Sequence, residues 1–176
     1  MSRLFITTLA AVAALAGPAG AAVIDRQPNG FEVATTVHID APPAKVYAAL
    51  VHIGRWWASA HSFSHDAANL SIDPVAGGCF CERLAGGGSV AFGRVIYVAP
   101  DALLRLQTAL GPLQSTGADG HLTFALVAKD GGTDLTETYD VGGYAKGGLD
   151  GWAATVDRVL GEQMARLKQF VETGAP

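Results

Sequence analysis

Residues 149–171 read LDGWAATVDRVLGEQMARLKQFV, and this stretch decides the fold of the chain. Its apolar residues recur at intervals of three and four, which is the spacing of one face of an α-helix. The spacing predicts a long amphipathic helix that ends at Gly174, since glycine readily adopts the left-handed conformation of a helix C-terminus. A helix with one apolar face must bury that face against another layer of the protein.

The chain before this helix has the pattern of β-strands separated by turns. Residues 31–39 alternate apolar and polar side chains, which predicts a strand with one buried face. Two short helices are expected over residues 44–57, interrupted at Gly54. Six further strands are predicted over residues 69–73, 79–84, 89–98, 103–110, 121–128 and 133–141. We therefore expect an α+β fold, in which a seven-stranded antiparallel sheet wraps around the C-terminal helix.

The first 21 residues have the pattern of a secretion signal. Arg3 gives a positive start, residues 4–17 are apolar, and Ala19-Gly20-Ala21 offers small residues for cleavage. The apolar run is shorter than the about 20 residues that span a bilayer, so a cleaved signal is favoured over the alternative of an uncleaved anchor. We predict an exported protein, periplasmic or secreted, with a flexible tail over residues 22–30 and one domain over residues 31–174.

The composition excludes several classes of partner. Lys and Arg number 12 against 16 Asp and Glu, which gives a formal net charge of −4 at pH 7. This balance offers no electrostatic footprint for nucleic acid or an anionic membrane surface. We predict no nucleic-acid binding and no membrane insertion after signal cleavage, and the sequence names no protein partner. The hydrophobic fraction of 49% is enough for a packed core, which excludes a disordered chain.

Six local motifs occur in the order found in a known superfamily. They are APPAKVY at 41–47, GRWW at 54–57, GG at 77–78, Pro100 before LLRL at 103–106, GTDL at 132–135, and the final helix. With these motifs the chain resembles the SRPBCC or START-like superfamily, and most closely its polyketide cyclase-like and Hsp-activator-homologue branches. The resemblance implies the helix-grip fold, with a cavity between sheet and long helix. In some members of the superfamily this cavity holds lipids, hormones or aromatic polyketides, and in others no ligand is known.

Glu137 lies on the apolar face of the strand predicted over residues 133–141, next to Tyr139. The opposite face of that strand is wholly polar, so we expect Glu137 to face the core together with Phe124 of the preceding strand. A carboxylate in that position must be paired, hydrogen-bonded or protonated. Arg94 is its expected partner if the apolar side of its own strand faces inward. The alternative is that Glu137 orients a ligand or acts as an acid–base group.

Two cysteines flank Phe80 on the strand predicted over residues 79–84. In a regular strand the thiols of Cys79 and Cys81 share one face about 6.6 Å apart, whereas a disulfide needs Cβ atoms about 3.5–4.5 Å apart. We therefore expect packed free thiols, and an internal disulfide requires a bulge or turn at this point. An oxidising compartment favours a bridge within or between chains, and a soft-metal or redox pair is the remaining alternative.

Several aromatic residues are candidates for contacting a ligand. Trp56 and Trp57 either pack in the core or line a site for an apolar or aromatic molecule, and Trp152 of the long helix is a further candidate. The glycine-rich segment 142–148 carries Tyr144, and it is either a lid over the cavity or a plain connector.

His61 and His65 belong to a segment without helical periodicity and without the glutamate that helical zinc motifs place beside the first histidine. We predict that this segment is a polar loop near the cavity mouth, in which His61 could donate a hydrogen bond to a ligand. No metal site and no cofactor are expected.

Binding of a small hydrophobic or aromatic molecule in the cavity is the function that the apolar inner face and the resemblance favour. The alternative is a cyclase, dehydratase or isomerase acting on a polyketide-like or other carbonyl compound. Its candidate catalytic residues are Glu137 or Glu82 together with His61, as an acid–base set. Groups of this kind must reach one substrate, so the two functions differ in whether these side chains converge on one cavity.

Overall fold

The alternating segments of the sequence form strands of one antiparallel sheet. The structure is a computed structural model that describes residues 22–176. Its strands and helices are β1 (Ala22–Gln27), β2 (Gly30–Ile39), α1 (Pro43–Val51), β3 (Leu70–Ile72), β4 (Cys79–Arg83), β5 (Ser89–Ala99), β6 (Leu103–Thr108), β7 (Gly117–Lys129), β8 (Gly132–Tyr144) and α2 (Ala153–Thr173). The strands lie in the order β1-β2-β8-β7-β6-β5-β4-β3. The expected α+β helix-grip architecture is confirmed, with eight strands rather than seven.

The eighth strand comes from the segment that was predicted to be a flexible tail. Residues 22–27 form β1, which pairs antiparallel with β2 across a turn at Pro28 and Asn29. The prediction was wrong because these turn-forming residues close a hairpin instead of marking the edge of the domain. Gly30 is required after the turn, since a Cβ there would lie 2.6 Å from the carbonyl oxygen of Val141.

The predicted signal over residues 1–21 lies outside the described residues. Within residues 22–176, no helix is long and apolar enough to cross a membrane.

Helix α2 lies across the sheet and covers its inner face. Its buried side chains repeat at helical spacing and are Ala153, Leu160, Gln163, Met164, Leu167 and Val171. Truncation of one of the buried leucines to alanine typically costs about 2–5 kcal/mol, because the lost contacts leave a cavity. The polar exception is Gln163, whose Oε1 accepts a 2.8 Å hydrogen bond from the backbone N–H of Ala58. This bond fixes α2 against the segment that follows α1.

That segment, residues 53–69, contains three short 3-10 turns at Ile53–Arg55, Ser59–His61 and Ala67–Asn69. The expected pair of short helices is therefore one α-helix, α1, followed by these turns. Gly54 permits the tight packing of the first turn, because a Cβ there would lie 2.9 Å from the carbonyl oxygens of Ala67 and Leu70.

Strand β5 contains two β-bulges, which overturn the expected alternation along it. Its register shifts opposite Phe80 of β4 and again beside Val95. A bulge adds one residue to a strand and reverses which of its side chains face inward. Phe92 is buried with the apolar side of its strand, but beyond the bulge Val95 is buried and Arg94 is exposed. The predicted inward position of Arg94 was wrong, and its guanidinium donates hydrogen bonds to Oε1 of Gln107 on the outer face.

Candidate functional site

A cavity of about 500 Å³ lies between the β3–β5 end of the sheet and the first half of α2. Ligand sites in proteins typically have about 300–1,000 Å³. Four parts of the chain supply the lining, namely the segment after α1, the strands β3 to β5, the segment after β6, and α2. The lining residues are Trp57, Ala60, His61, Ser62, Phe63, Leu70, Phe80, Phe92, Leu110, Gly111, Pro112, Leu113, Trp152, Thr155, Val156, Val159 and Leu160.

Three phenylalanines form an aromatic wall on the sheet side of the cavity. The rings of Phe80 and Phe92 are stacked with centroids 4.9 Å apart. Phe63 lies 5.7 Å from Phe92 and is 49% exposed, so it stands at the mouth. Sequence reasoning expected Phe92 to face inward with the apolar side of its strand, but it did not pair Phe92 with Phe80 or place either ring in a cavity lining. Phe80 was considered only as the residue between two cysteines, although an apolar side chain in that strand was itself a signal.

Glu82 holds the mouth segment of the cavity, residues 61–64, to the sheet. This side chain is buried, and its carboxylate accepts hydrogen bonds from the backbone N–H groups of Phe63 at 2.9 Å and Ser64 at 2.6 Å. Burial raises the pKa of the Glu82 carboxyl, but hydrogen bonds from Ser64, Phe63 and the Ser62 hydroxyl outweigh burial and lower the pKa below its ordinary value. Glu82 does not line the cavity, and its arrangement is that of a charged anchor.

His61 lines the cavity at the same mouth. Its Nε2 lies 3.4 Å from Oε2 of Glu162 on α2, and both side chains are partly exposed. Its backbone carbonyl accepts a 3.0 Å hydrogen bond from the indole of Trp57, whose side chain also lines the cavity. His61 is the one histidine among the lining residues that the structure describes.

Of three other aromatic residues that were predicted to contact a ligand, one lines the cavity and two lie elsewhere. Trp152 lines the cavity from the start of α2. Trp56 is buried in the core, where its indole N–H donates to the carbonyls of Ala49 and Leu50. Tyr144 is 72% exposed at the end of β8 and does not line the cavity. The expected loop over residues 142–148 therefore begins only after Tyr144, because β8 continues to pair with β7 up to that residue.

Tyr139 and Phe124 lie in the core behind the cavity lining. The Tyr139 hydroxyl donates to the carbonyl of Thr108 at 2.9 Å and accepts from the N–H of Leu110 at 3.1 Å. Burial raises the pKa of Tyr139, so its phenol stays neutral. Leu110 begins the wall segment, residues 110–113, which follows β6 and lines the cavity. Tyr139 therefore positions this segment, although Tyr139 itself does not line the cavity.

Glu137 is buried on the inner face of β8, where its strand neighbours are Thr35 of β2 and Phe124 of β7. Neither of its carboxylate oxygens has a hydrogen-bond partner among the described residues. Burial raises the pKa of this carboxyl well above its ordinary value, which favours its protonated form. The predicted pair with Arg94 does not form, since Arg94 lies on the opposite face of the sheet.

The three candidate catalytic residues do not converge. His61 lines the cavity, Glu82 binds backbone amides behind its mouth, and Glu137 is enclosed in the core away from the lining.

The two cysteines form a disulfide, Cys79–Cys81, with a Cα–Cα distance of 5.5 Å. The expectation of free thiols was wrong because it assumed a regular strand. The register between β4 and β5 shifts at this point, and the Cα–Cα distance lies in the range that a disulfide spans. Among residues 22–176, no group of three or more His, Cys, Asp or Glu side chains is arranged to hold a metal ion.

Comparisons with known proteins agree with this architecture. A family model described as polyketide cyclase / dehydrase and lipid transport matches residues 30–172. CalU16 from Micromonospora echinospora has a similar structure, with a TM-score of 0.60 and 17% identity over 91% of this chain and 87% of that chain. A comparison with curated proteins finds no match.

Two further solved structures extend the likeness. The Aha1 dimer from Colwellia psychrerythraea has a TM-score of 0.59 and 20% identity, covering 82% of this chain and 98% of that chain. Protein CV1439 from Chromobacterium violaceum has a TM-score of 0.58 and 18% identity, covering 83% of this chain and 99% of that chain. At these identities the likeness shows a common fold.

Proposed function

The chain belongs to the polyketide cyclase/dehydrase and lipid transport family, and we propose that it binds one small hydrophobic or aromatic molecule in the cavity between its sheet and α2. The observation that carries this proposal is the lining of the 500 Å³ cavity, which consists mainly of aromatic and aliphatic side chains. A lining of this kind favours a ligand that leaves water with its apolar surface.

The few polar groups of the lining suggest how such a molecule would be oriented. The side chains of His61 and Ser62 lie together at the mouth, and Thr155 lies opposite on α2. The residues that line the cavity within the described chain include no Lys, Arg, Asp or Glu. We therefore propose an uncharged ligand whose ring system contacts Phe80 and Phe92, and whose polar group accepts or donates a hydrogen bond near His61.

An acid–base enzyme is the alternative function. It needs groups that reach the same substrate, and of Glu137, Glu82 and His61 only the last contacts the cavity. Glu82 is committed to two backbone amides. These placements favour binding over a cyclase or dehydratase reaction that would use this set.

The cavity can be tested with Nile red, an uncharged fluorophore that brightens in apolar surroundings. Val156→Trp places a bulky ring in the cavity, whereas Ala165→Trp adds the same ring to the exposed side of α2. We expect saturable binding by the natural protein, a loss of affinity of about tenfold or more in Val156→Trp, equivalent to about 1.4 kcal/mol, and no change in Ala165→Trp. Circular dichroism would check that both variants fold.

Native mass spectrometry of the protein purified from its own cells would detect a carried molecule directly. A protein that is empty there and also fails to bind Nile red would refute the proposed function. Binding that Val156→Trp leaves unaltered would place the ligand elsewhere.

We also propose that the protein is exported and that residues 1–21 are removed. The support is the pattern of this segment, which has a positive start, an apolar run and small residues at its end. The test is N-terminal sequencing of the protein from the extracytoplasmic fraction, with Ala22 as the expected first residue. Recovery of the chain in the cytoplasm with residues 1–21 attached would contradict export.

A further inference from the structure

The Cys79–Cys81 disulfide lies directly behind the aromatic wall of the cavity. Cys79 and Cys81 are half-buried on one side of β4, whereas the alternating residues Phe80 and Glu82 are buried on the other. Phe80 is a ring of the cavity wall, and Glu82 holds the mouth segment through the N–H of Ser64. The bridge therefore spans Phe80, and Glu82 follows it directly in the same strand.

The bridge also sets the local shape of β4. The Cα atoms of Cys79 and Cys81 are 5.5 Å apart, whereas two residues of a regular strand span about 6.6 Å. The matching irregularity in β5 lies opposite Phe80, and it includes Phe92, the stacking partner of Phe80. Opening the bridge allows β4 to return to regular spacing, which would move Phe80 relative to Phe92 and Glu82 relative to the mouth.

A stabilising role for the whole fold does not account for this disulfide. The entropic stabilisation by a disulfide grows with the length of the loop that it closes, and this bridge joins residues separated by two positions. Its effect is therefore local. The cysteines are partly exposed near the sheet edge, where only the three-residue strand β3 lies outside β4, so a small thiol can reach them.

We propose that the Cys79–Cys81 disulfide is a redox-controlled latch on the cavity, which rests on the proposed function. The bridged form holds Phe80 and the mouth segment in the binding arrangement, and reduction by a dithiol releases them. One reductant thiolate attacks a sulfur of the bridge to give a mixed disulfide, and the second thiol displaces it. The reductant ends as a disulfide, and Cys79 and Cys81 each gain one electron and one proton as thiols.

The latch predicts a difference in Nile red affinity between the oxidised protein and the protein reduced with dithiothreitol. We expect reduction to weaken binding by about threefold or more, and removal of dithiothreitol with reoxidation to restore it. The double variant Cys79→Ser/Cys81→Ser is the matched control, with the weaker affinity in both conditions and no response to dithiothreitol. Equal affinity in the oxidised and reduced natural protein would overturn the latch.

Amide hydrogen exchange gives a second readout that needs no ligand. The N–H groups of Phe63 and Ser64 are bonded to Glu82, so reduction should speed their exchange while the amide of Phe124 in the sheet centre stays unchanged. If neither redox state binds Nile red, the proposed function fails, and amide hydrogen exchange alone then tests whether the disulfide acts as a latch. Faster exchange at the mouth would then support it, and unchanged exchange would overturn it.

Discussion

The carboxylate of Glu82 accepts a hydrogen bond of 2.6 Å from the backbone N–H of Ser64, which joins the sheet to the mouth of the cavity. The same carboxylate accepts from Phe63, so one buried anion satisfies two adjacent amides. Buried amides without partners are costly, and the mouth segment lies beyond the ladder of the sheet. Glu82 therefore anchors the mouth segment, and the hydrogen bonds that it accepts keep its pKa below the ordinary value despite burial.

Glu82→Ala should destabilise the protein by about 1–3 kcal/mol, because it removes the acceptor of two part-buried N–H groups. Glu82→Gln should cost less, since the amide oxygen can still accept one of the two bonds. Urea unfolding monitored by tryptophan fluorescence gives both values. Equal stability of Glu82→Ala and the natural protein would show that water replaces the carboxylate at the mouth.

The lowered pKa of Glu82 gives its contribution a definite pH dependence. A carboxyl whose folded pKa lies below its unfolded value adds stability above the unfolded pKa, about 4.3, and that stability is lost as the pH falls through the folded pKa. The difference in stability between the natural protein and Glu82→Gln should therefore shrink on acidification below pH 4. A difference that persists unchanged at pH 3 would contradict the pKa direction.

Tyr139→Phe should destabilise the protein by about 1–3 kcal/mol, because it removes the hydroxyl that joins Thr108 to Leu110. The phenyl ring keeps the packing of the buried side chain, so the loss isolates the two hydrogen bonds. Thermal unfolding measures the stability. Because Leu110 lines the cavity, the same variant should also weaken Nile red binding. Loss of stability with unchanged binding would mean that the wall segment holds its position without Tyr139.

The regular part of the fold could be predicted from the sequence because side-chain alternation reports directly on which face is buried. Phe31 and Val33 of β2 face inward as their alternation predicts. In β5 the same rule fails at Arg94, because a bulge adds a residue without any change of composition. The hairpin of β1 was missed for a related reason, since a turn that closes a hairpin and a turn that ends a domain use the same residues.

The candidate site was less predictable than the fold. Trp57, His61 and Trp152 line the cavity, and their position follows from their place next to α1 and at the start of α2. The stacking of Phe80 on Phe92 depends on how β4 and β5 pair, and the anchoring role of Glu82 depends on amides about twenty residues earlier in the chain. Such contacts are set by the packing of elements that are distant in sequence.

Gly120→Ala should destabilise the protein by about 1–3 kcal/mol through overpacking. A Cβ at this position of β7 would lie 2.7 Å from the carbonyl oxygen of Asp140 and 2.7 Å from the Tyr139 ring. Gly151→Ala is the matched control, because no described atom lies within 4 Å of the new Cβ there. Denaturation midpoints compare the two variants, and equal midpoints would show that the Tyr139 ring moves aside without cost.

Glu137→Gln should flatten the dependence of stability on pH above the ordinary glutamate pKa of about 4.3. The pKa of Glu137 is raised by burial in the fold, so its contribution is fully present below the unfolded pKa and is lost as the pH rises through the folded pKa. In that window the folded chain holds one more proton than the unfolded chain, and stability falls by about 1.4 kcal/mol per pH unit. Glutamine does not titrate, so this part of the slope disappears.

The measurement is urea unfolding from pH 5 to pH 8 for the natural protein, Glu137→Gln and a control, Asp130→Asn. Asp130 is exposed in the turn between β7 and β8, so its variant removes a carboxylate without changing the core. We expect the natural protein and Asp130→Asn to lose stability in parallel as the pH rises, and Glu137→Gln to gain relative to both. Because Glu137 does not line the cavity, Nile red affinity should be unchanged in Glu137→Gln. Parallel slopes in all three proteins would mean that solvent reaches the carboxyl, and a loss of affinity would make Glu137 a ligand contact.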